Sequence, residues 1–512
     1  MTHQARSPFH SESRLAHPPG EIPAALGLSW CFVYGYCGLP AVRFFPEVRR
    51  LGGRFTKVYL FWQQLEPERG QYNWSALDAF AAQLEEPDQG LVSLFSASRW
   101  ATQKSSAMLP PSPAKSLDDY YILVFQLVQR AGGRIRYFQN DAEPNNPVFW
   151  SGSREEYAAQ LRVFHRAVKD ADPSAQVILG GHDGMFVPPR LDPLPDQRTE
   201  PFPRQAQGLE FFSYVLKHAA GAFDFFDLRL YGDPYTIGAR VEHVHTMMRD
   251  AGCPRPIVCT EYGGPNFFEF AENRCYLPLV DAWSNQIGET DAQGLPSRPE
   301  GPARQIAELY ERAESLPPQT QMFLQGCAPE LEAKLLRIQS RQLVMRNVLA
   351  RAAGVQRTLY WQLPVLPGPR DDLMTLMYGK IGMLRWEAER WVEQGPTASV
   401  FRRLAGLLLD AREVRRVPLP DPSVFLFRVD RGEPHPAWVV WQRRDAFSGE
   451  DSPPITCHLL CDCDGEAVSI ATAFGETTAA EPSGEGIIVH VSDTPLFIES
   501  RRSAADRKET AP

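Results

Sequence analysis

The sequence contains no run of eighteen consecutive apolar residues, so no membrane-spanning helix is predicted. It also lacks a basic cluster, because 53 Lys and Arg are scattered along the chain against 62 Asp and Glu, for a net charge of −9. Nucleic-acid binding needs a positive surface, which this charge pattern argues against. The predicted partners therefore include neither a membrane nor a nucleic acid, and the oligomeric state is left open.

A secretory signal is missing as well. Residues 1–20 are polar, with three His, three Pro and no apolar stretch, so they are predicted to be a disordered lead-in. Residues 503–512 are predicted to be a disordered tail. The nine cysteines are odd in number, which favours reduced thiols over a disulfide framework. Together these features predict a cytoplasmic protein.

One cysteine-rich segment superficially suggests a zinc site. Cys457, Cys461 and Cys463 would lie on one face of an alternating strand, whereas His458 would point to the other. Four-coordinate zinc needs its ligands around one point, so no metal is predicted here. No cofactor is predicted either.

What the sequence does contain, before residue 365, is eight short apolar runs bounded by turn residues. They are Ala24–Phe32, Phe55–Phe61, Leu91–Ser96, Ile135–Asn140, Gln176–Gly181, Phe223–Leu230, Pro256–Thr260 and Thr358–Gln362. Near-continuous apolar strands are typical of parallel sheets covered on both faces. Helical patterns separate them; one begins with a capping box at Ser153 and Glu156.

Strand and helix alternating eight times predict an α/β fold, a (β/α)₈ TIM barrel over residues 21–411. A doubly wound open sheet is the alternative, but no glycine-rich nucleotide motif follows the first strand. Two long connections, Asp183–Gly208 with its six Pro and Asn266–Gln356, are predicted to shape a pocket or to be exposed insertions.

After a predicted helix at Thr397–Asp410 the pattern becomes one of short β segments. They are Val424–Val429, Ala437–Gln442, Ile455–Cys461, Ala467–Ile470 and Gly486–Val491. Residues 412–502 are therefore predicted to form an all-β sandwich packed on the barrel. Its strands carry no obvious exposed aromatic platform, which favours a structural role.

Two glutamates, Glu143 and Glu261, each follow a predicted buried strand. One glutamate after a strand is more often a helix cap or a surface charge. Two of them, in register with a full set of barrel strands, predict a pair of carboxyl groups at the C-terminal face of the barrel. Such a pair is the machinery that breaks a glycosidic bond.

Four segments resemble the clan A glycoside hydrolases, and within them the family of β-xylosidases and α-L-iduronidases. They are Phe61–Trp74, Tyr137–Trp150, Cys259–Gly263 and Tyr360–Leu363. The resemblance covers about residues 24–500 but is specific only in these segments. It implies a retaining enzyme acting on a carbohydrate, with Glu143 as general acid/base, Glu261 as nucleophile, Tyr231 bonded to the nucleophile and Trp361 stacked on the sugar.

Two departures from that family pattern bear on the prediction. Ala142 stands where the clan has an Asn that contacts the sugar 2-hydroxyl, so Asn140 or Asp141 would substitute, the sugar would differ at that position, or turnover would be weak. Arg229 stands where relatives commonly have His. It would keep Glu261 ionised, grip an acidic sugar, or pair with an Asp of the barrel rim.

Three further residues are candidate substrate contacts at strand ends. They are His182, Trp62 and Trp100, and for each a role in core packing or structural hydrogen bonding is an equal alternative. The predicted function is a retaining glycoside hydrolase. The rival predictions are a barrel that binds glycans without turning them over and a transglycosylase that uses the same two carboxylates.

Overall fold

The computed structural model describes residues 25–30, 33–182, 203–286, 300–365, 368–433, 435–460, 468–483 and 486–500. Eight parallel strands form one sheet in the order β5-β4-β3-β2-β1-β8-β7-β6. They are β1 Ala25–Ser29, β2 Phe55–Phe61, β3 Gln89–Phe95, β4 Tyr137–Asn140, β5 Gln176–Ile178, β6 Phe226–Asp227, β7 Ile257–Tyr262 and β8 Arg357–Tyr360.

The two edge strands of this sheet meet and close it into a barrel. Backbone hydrogen bonds join Leu179 N to Phe225 O at 2.9 Å and His182 N to Asp227 O at 2.9 Å. The predicted TIM barrel is therefore confirmed, with all eight strands where the apolar runs lie. A doubly wound open sheet would have left two free edges.

Helices surround the barrel, and those that carry Leu279, Ile306 and Leu373 pack in a separate apolar cluster. In chain order they are α1 Phe45–Arg50, α2 Trp62–Leu65, α3 Ser75–Ala81, α4 Leu117–Ala131, α5 Arg154–Ala171, α6 Pro203–His218, α7 Ile237–Asp250, α8 Pro278–Gln286, α9 Glu300–Glu311, α10 Pro318–Gln321, α11 Pro329–Ala352, α12 Leu373–Tyr378 and α13 Thr397–Leu408. The predicted capping box is present: Ser153 Oγ accepts from Glu156 N, and Glu156 accepts from Ser153 N.

One of the two predicted long connections needs a correction. The loop expected over Asp183–Gly208 ends earlier, because α6 already begins at Pro203. Proline at the first position of a helix costs little, since its missing N–H would have no partner there. Residues 183–202 lie outside the described part of the chain.

At the N-terminal end of the barrel, the interior is filled by eight apolar side chains, one on or next to each strand. These are Ala25, Phe55, Leu91, Tyr137, Ile178, Phe225, Val258 and Leu359. Arg357 lies among them, with its guanidinium 5.0 Å from the ring centroid of Tyr137. The Lys57, Asp227, Arg229 and Glu261 side chains lie beyond this apolar layer, towards the C-terminal end of the strands.

The C-terminal part of the chain is all-β, as predicted. A hairpin of β9 Leu384–Glu387 and β10 Arg390–Glu393 precedes α13. The next nine strands are β11 Glu413–Val417, β12 Val424–Asp430, β13 Ala437–Gln442, β14 Ile455–Leu460, β15 Val468–Thr472, β16 Thr477–Thr478, β17 Glu481–Ser483, β18 Gly486–Val491 and β19 Leu496–Ser500.

These nine strands form two antiparallel sheets, β11-β12-β13-β19-β15-β16 and β14-β18-β17. Leu426 and Val440 of the first sheet share one core with Leu459 and Val489 of the second, which makes the unit a sandwich. The sequence prediction missed four of these strands, β11, β16, β17 and β19. The last of them lies between β13 and β15 at the centre of the larger sheet.

Candidate functional site

Glu261 lies near the C-terminal end of β7, and its side chain points into the barrel, where it is about 10% exposed. Its Oε1 atom is 2.7 Å from Lys57 Nζ and 3.0 Å from Arg229 Nη1, and it also accepts a hydrogen bond from the Tyr59 hydroxyl. Tyr231 donates to the other oxygen, Oε2, at 3.4 Å. One carboxylate oxygen is thus held by two cations and a phenol, while the other has a single long hydrogen bond.

Lys57 and Glu261 form a buried ion pair, and burial disfavours the charge on both. Burial raises the pKa of Glu261, and the nearby Lys57 acts in the opposite direction. For Lys57, burial and the neighbouring Arg229 lower the pKa to about 8, although the contact with Glu261 opposes them. Lys57 therefore carries its charge at neutral pH and loses it in mildly alkaline solution.

Arg229, just beyond β6, is completely buried between the two predicted catalytic carboxylates. Besides Glu261, its Nη1 bonds Thr260 Oγ1 at 2.9 Å, and its Nε lies 3.6 Å from Glu143 Oε1 and 3.6 Å from Asp227 Oδ2. Three protein carboxyl groups and the Thr260 hydroxyl therefore surround the guanidinium, although its Nε has no hydrogen-bond partner among the described residues. Of the alternatives left open by the sequence, pairing with an Asp and contact with Glu261 are both observed.

Space for this guanidinium depends on a glycine. A Cβ atom on Gly181 would collide with Arg229 Nε and would lie 2.7 Å from Asp227 Oδ2. Asp227 in turn accepts hydrogen bonds from Thr260 N at 2.8 Å and from Gln139 Nε2 at 2.8 Å. Gly181, just after β5, therefore leaves the room that the Arg229 guanidinium occupies. The Asp227 carboxylate, held by its hydrogen bonds, balances the charge of Arg229.

Glu143 follows β4 and is 8% exposed. The chain turns sharply before it: Asp141 has φ of +52°, in the left-handed region that Asp tolerates better than most residues. Ala142, next in the chain, packs in an aromatic cluster with Tyr59, Phe95 and Trp361. The exit of β4 thus brings a second carboxyl within reach of the same guanidinium that contacts Glu261.

Asn140 and Asp141 are both buried and bonded to protein groups. Asn140 Oδ1 accepts from the Tyr120 hydroxyl. Asp141 accepts from Ser96 N at 2.9 Å and Ser96 Oγ at 2.8 Å. Burial raises the pKa of Asp141 to about 7, against the lowering effect of the Ser96 hydrogen bonds. Their side-chain oxygens are thus occupied by the protein.

The backbone N–H of His182 donates to Asp227 O, one of the hydrogen bonds that close the barrel. The His182 ring stacks on Phe212 with the ring centroids 4.8 Å apart. The residue is 2% exposed. Its backbone oxygen accepts from Arg229 N at 3.2 Å, so His182 helps to position the segment after β6 that carries Arg229.

The three predicted stacking tryptophans have different surroundings. Trp361, after β8, meets Tyr59 edge to face at 5.8 Å in the aromatic cluster beside the carboxylates. Trp62 is fully buried in the main core, where its Nε1 donates to Glu66 at 2.9 Å. Trp100 packs against Trp62 at 5.8 Å. Trp361 alone of the three lies in the cluster with Tyr59.

Lys57 and Tyr59 are site residues that the sequence analysis missed. Both lie on β2 two positions apart, so both side chains point into the barrel. A lysine inside an otherwise apolar buried strand was the available signal, because a charge is rarely buried without a partner.

Neither a metal nor a membrane is indicated by the described residues. Among them, no three His, Cys, Asp or Glu side chains are grouped so that they could hold a metal ion. Cys461 and Cys463 of the cysteine-rich segment lie outside the described part of the chain. No helix in that part is long and apolar enough to cross a bilayer.

No family model and no curated protein matches the sequence. Solved structures that match in fold include a family 39 glycoside hydrolase from Bacteroides cellulosilyticus, with a TM-score of 0.61, 13% identity and coverage of 93% of this chain and 81% of that one. A β-xylosidase from Caulobacter crescentus matches with a TM-score of 0.50, 15% identity and 89% and 91% coverage.

A family 51 α-L-arabinofuranosidase from Bifidobacterium longum matches with a TM-score of 0.54 at 11% identity, over 93% of this chain and 96% of that one. All three are glycoside hydrolases of clan A families. At such identities the likeness is one of fold: a TIM barrel with an additional β domain.

Proposed function

We propose that the protein is a retaining glycoside hydrolase in which Glu261 is the nucleophile and Glu143 the general acid/base. The observation that carries the proposal is the pair of buried carboxyls at the ends of β7 and β4, both reached by the guanidinium of Arg229. Carboxylates with opposite roles on the two sides of a scissile bond are the basis of glycoside hydrolysis. A fold shared with glycoside hydrolases agrees with this function.

The surroundings of Glu261 suit a nucleophile. Lys57 and Arg229 stabilise its ionised form through Oε1, which leaves Oε2 as the oxygen that attacks the anomeric carbon. Attack forms a glycosyl ester and neutralises Glu261, while Glu143 gives its proton to the departing oxygen. Glu143, now ionised, then removes a proton from the water that cleaves the ester. A retaining mechanism needs the two carboxyl groups roughly 5–5.5 Å apart.

Trp361 and Tyr231 are the proposed sugar contacts. The Trp361 ring lies in the aromatic cluster beside the nucleophile, where an apolar pyranose face would pack on it. Tyr231 is close to Glu261 Oε2, and burial raises the pKa of its hydroxyl well above the ordinary value, so it stays a donor. Asn140, Asp141 and His182 act in this proposal by fixing the strand ends.

The sugar that is cleaved is proposed to be uncharged. Arg229 is fully buried and already contacts Glu261, Asp227 and Glu143, so a sugar carboxylate would have to compete with three protein carboxyl groups for it. Uronides should therefore be poorer substrates than the matching neutral glycosides.

Ala142 favours one alternative, a barrel that binds glycans and turns them over slowly or not at all. Alanine cannot donate a hydrogen bond to a sugar hydroxyl, and its methyl group packs against Trp361 and Tyr59. An activated 2-fluoro glycoside separates the two functions, because a competent nucleophile becomes covalently labelled and a binding protein does not.

The experiment is to screen wild type, Glu261→Gln and a control variant, Glu66→Gln, on aryl glycosides of neutral sugars and uronic acids. Glu66 is also buried near the C-terminal end of β2, but its carboxylate bonds Trp62 and Gly70 N. Loss of turnover in Glu261→Gln alone, with the fluoro label mapped to Glu261, would support the proposal. Equal loss in both variants, or a label elsewhere, would contradict it.

The role of Glu143 needs a separate test. Glu143→Ala should slow substrates with poor leaving groups far more than those with good ones, because the latter need little protonation. External azide should restore part of the rate and give a product that retains the configuration of the substrate. Equal slowing of all leaving groups would argue against Glu143 as the acid.

A further inference from the structure

The segment that follows β6 carries two site residues, Arg229 and Tyr231, yet it is an irregular stretch between a two-residue strand and a 3₁₀ turn. The N–H of Arg229 bonds His182 O at 3.2 Å and the N–H of Leu230 bonds Glu261 O at 3.2 Å. Among the described residues, no backbone N–H donates to the carbonyl oxygens of residues 229–232. Buried carbonyls without partners are costly, so other groups must hold them.

Two buried arginines supply those partners. Arg240 on α7 donates to the carbonyl oxygens of Arg229 and Tyr231, the latter at 2.8 Å. Arg346 on α11 donates to those of Leu230, at 3.1 Å, and Gly232. Successive carbonyls of an extended chain point in opposite directions, so each guanidinium takes alternate residues. Four consecutive carbonyls are thus held from two sides.

Arg346 also connects this segment to the one that follows the nucleophile. Its Nη2 is 3.0 Å from Glu269 Oε1 and 2.7 Å from Gln342 Oε1. Glu269 lies in the 3₁₀ helix that begins five residues after Tyr262, the last residue of β7. A single guanidinium therefore ties the exit of β6 to the exit of β7.

The β sandwich supports the same elements from outside. Trp441 Nε1 donates to the Tyr235 hydroxyl at 3.0 Å, just beyond the held segment. Arg341, one turn before Arg346 on α11, is 2.6 Å from Glu450 and 3.1 Å from Asp493. The 3₁₀ turn that precedes α7 and the helix α11 are thus both in contact with the β sandwich.

We propose that Arg240 and Arg346 are positioning residues that fix Arg229 and Tyr231 against Glu261, an arrangement we call the carbonyl clamp. The clamp sets the 3.0 Å contact from Arg229 Nη1 to Glu261 Oε1 and the 3.4 Å contact from Tyr231 to Oε2. The effect of the clamp on catalysis rests on the proposed glycosidase function. Its effect on the order of the backbone at residues 229–232 does not.

The test compares Arg346→Lys with Arg351→Lys. Lysine keeps the charge but is a single point donor, so it cannot replace a fork that spans two carbonyls and a carboxylate. Arg351 is a matched control on the same helix: it also donates to backbone carbonyls, of Val355 and Ala411, but at the opposite end of the barrel. Arg240→Lys provides a second variant of the clamp, should Arg346→Lys fold poorly.

Hydrogen exchange of the peptide spanning 226–236 gives a readout that needs no substrate. It should become faster by roughly tenfold or more in Arg346→Lys and stay as in wild type in Arg351→Lys. If hydrogen exchange of this peptide were as slow in Arg346→Lys and Arg240→Lys as in wild type, the proposed clamp would be overturned.

Kinetics on a glycoside turned over by wild type test the catalytic consequence. A shift of the segment should lower kcat roughly tenfold to a hundredfold, with KM nearly constant, in Arg346→Lys alone. If Arg346→Lys and Arg351→Lys lost the same fraction of kcat after correction for the folded fraction, the clamp would contribute only to stability. That result would overturn its positioning role. If wild type turns over no glycoside, the proposed function fails while exchange still decides the clamp.

Discussion

Asp141 provides a prediction that depends on burial and charge alone and needs no substrate. Its carboxyl is fully buried, and burial raises its pKa from the ordinary 3.8 to about 7. The unfolded chain releases this proton near pH 4, whereas the folded protein keeps it until about pH 7. Between these values the folded state binds more protons, so the free energy of unfolding falls as pH rises.

The size of this effect follows from the pKa difference. A shift from 3.8 to about 7 corresponds to about 4 kcal/mol, of which about 3 kcal/mol falls between pH 4.5 and 8.5. Asp141→Asn removes the titration. Asparagine also tolerates the φ of +52°. Its amide oxygen can accept from Ser96 N and its amide nitrogen can donate to Ser96 Oγ, so neither Ser96 group loses its partner.

Urea unfolding of wild type and Asp141→Asn at several pH values between 4.5 and 8.5 measures the difference. The two proteins should have similar stability at pH 4.5, and the variant should be about 3 kcal/mol more stable at pH 8.5. Asp118→Asn, at an exposed site on α4, is the control for the loss of a carboxylate. If Asp141→Asn differed from wild type by a constant amount, Asp141 would be ionised throughout and the reasoning from burial would be refuted.

Three other outcomes are expected. Activity should fall as pH rises through about 8, where Lys57 loses its charge, and Lys57→Arg should remove this alkaline decline in a pH–rate profile. Trp361→Ala should raise KM for a neutral glycoside by roughly twofold to tenfold, since a stacked aromatic contact contributes about 0.5–1.5 kcal/mol; an unchanged KM would place the sugar elsewhere. Gly181→Ala should displace Arg229 and lower both the melting temperature and kcat, whereas Gly221→Ala, with no neighbouring atom within 4 Å, should change neither.

The eight barrel strands were predictable because each is a local apolar run. Parallel strands buried on both faces need such runs whatever their neighbours are, so the pattern is present in the sequence itself. The position of Glu261 on β7 and of Glu143 just after β4 followed for the same reason. The capping box at Ser153 was likewise visible, since its two residues are three apart.

Elements and contacts that depend on distant residues were missed. β19 is short and gains its stability from pairing with both β13 and β15. Lys57 Nζ reaches Glu261 Oε1 across 204 residues of sequence. Trp62 and Trp361 both stand near strand ends in the sequence, but one ring points into the helix-covered core and the other into the cluster beside the nucleophile.

The sequence by itself thus determined the barrel, the β domain and two carboxyls at strand ends, because periodicity and strand length are local properties of the chain. Only the tertiary structure decided what surrounds those carboxyls. Arg229 could have contacted a sugar, an Asp or the nucleophile, and barrel closure places it against Glu261 and Asp227. Charge pairing in a buried site depends on which side chains converge there, and convergence is a property of the closed barrel.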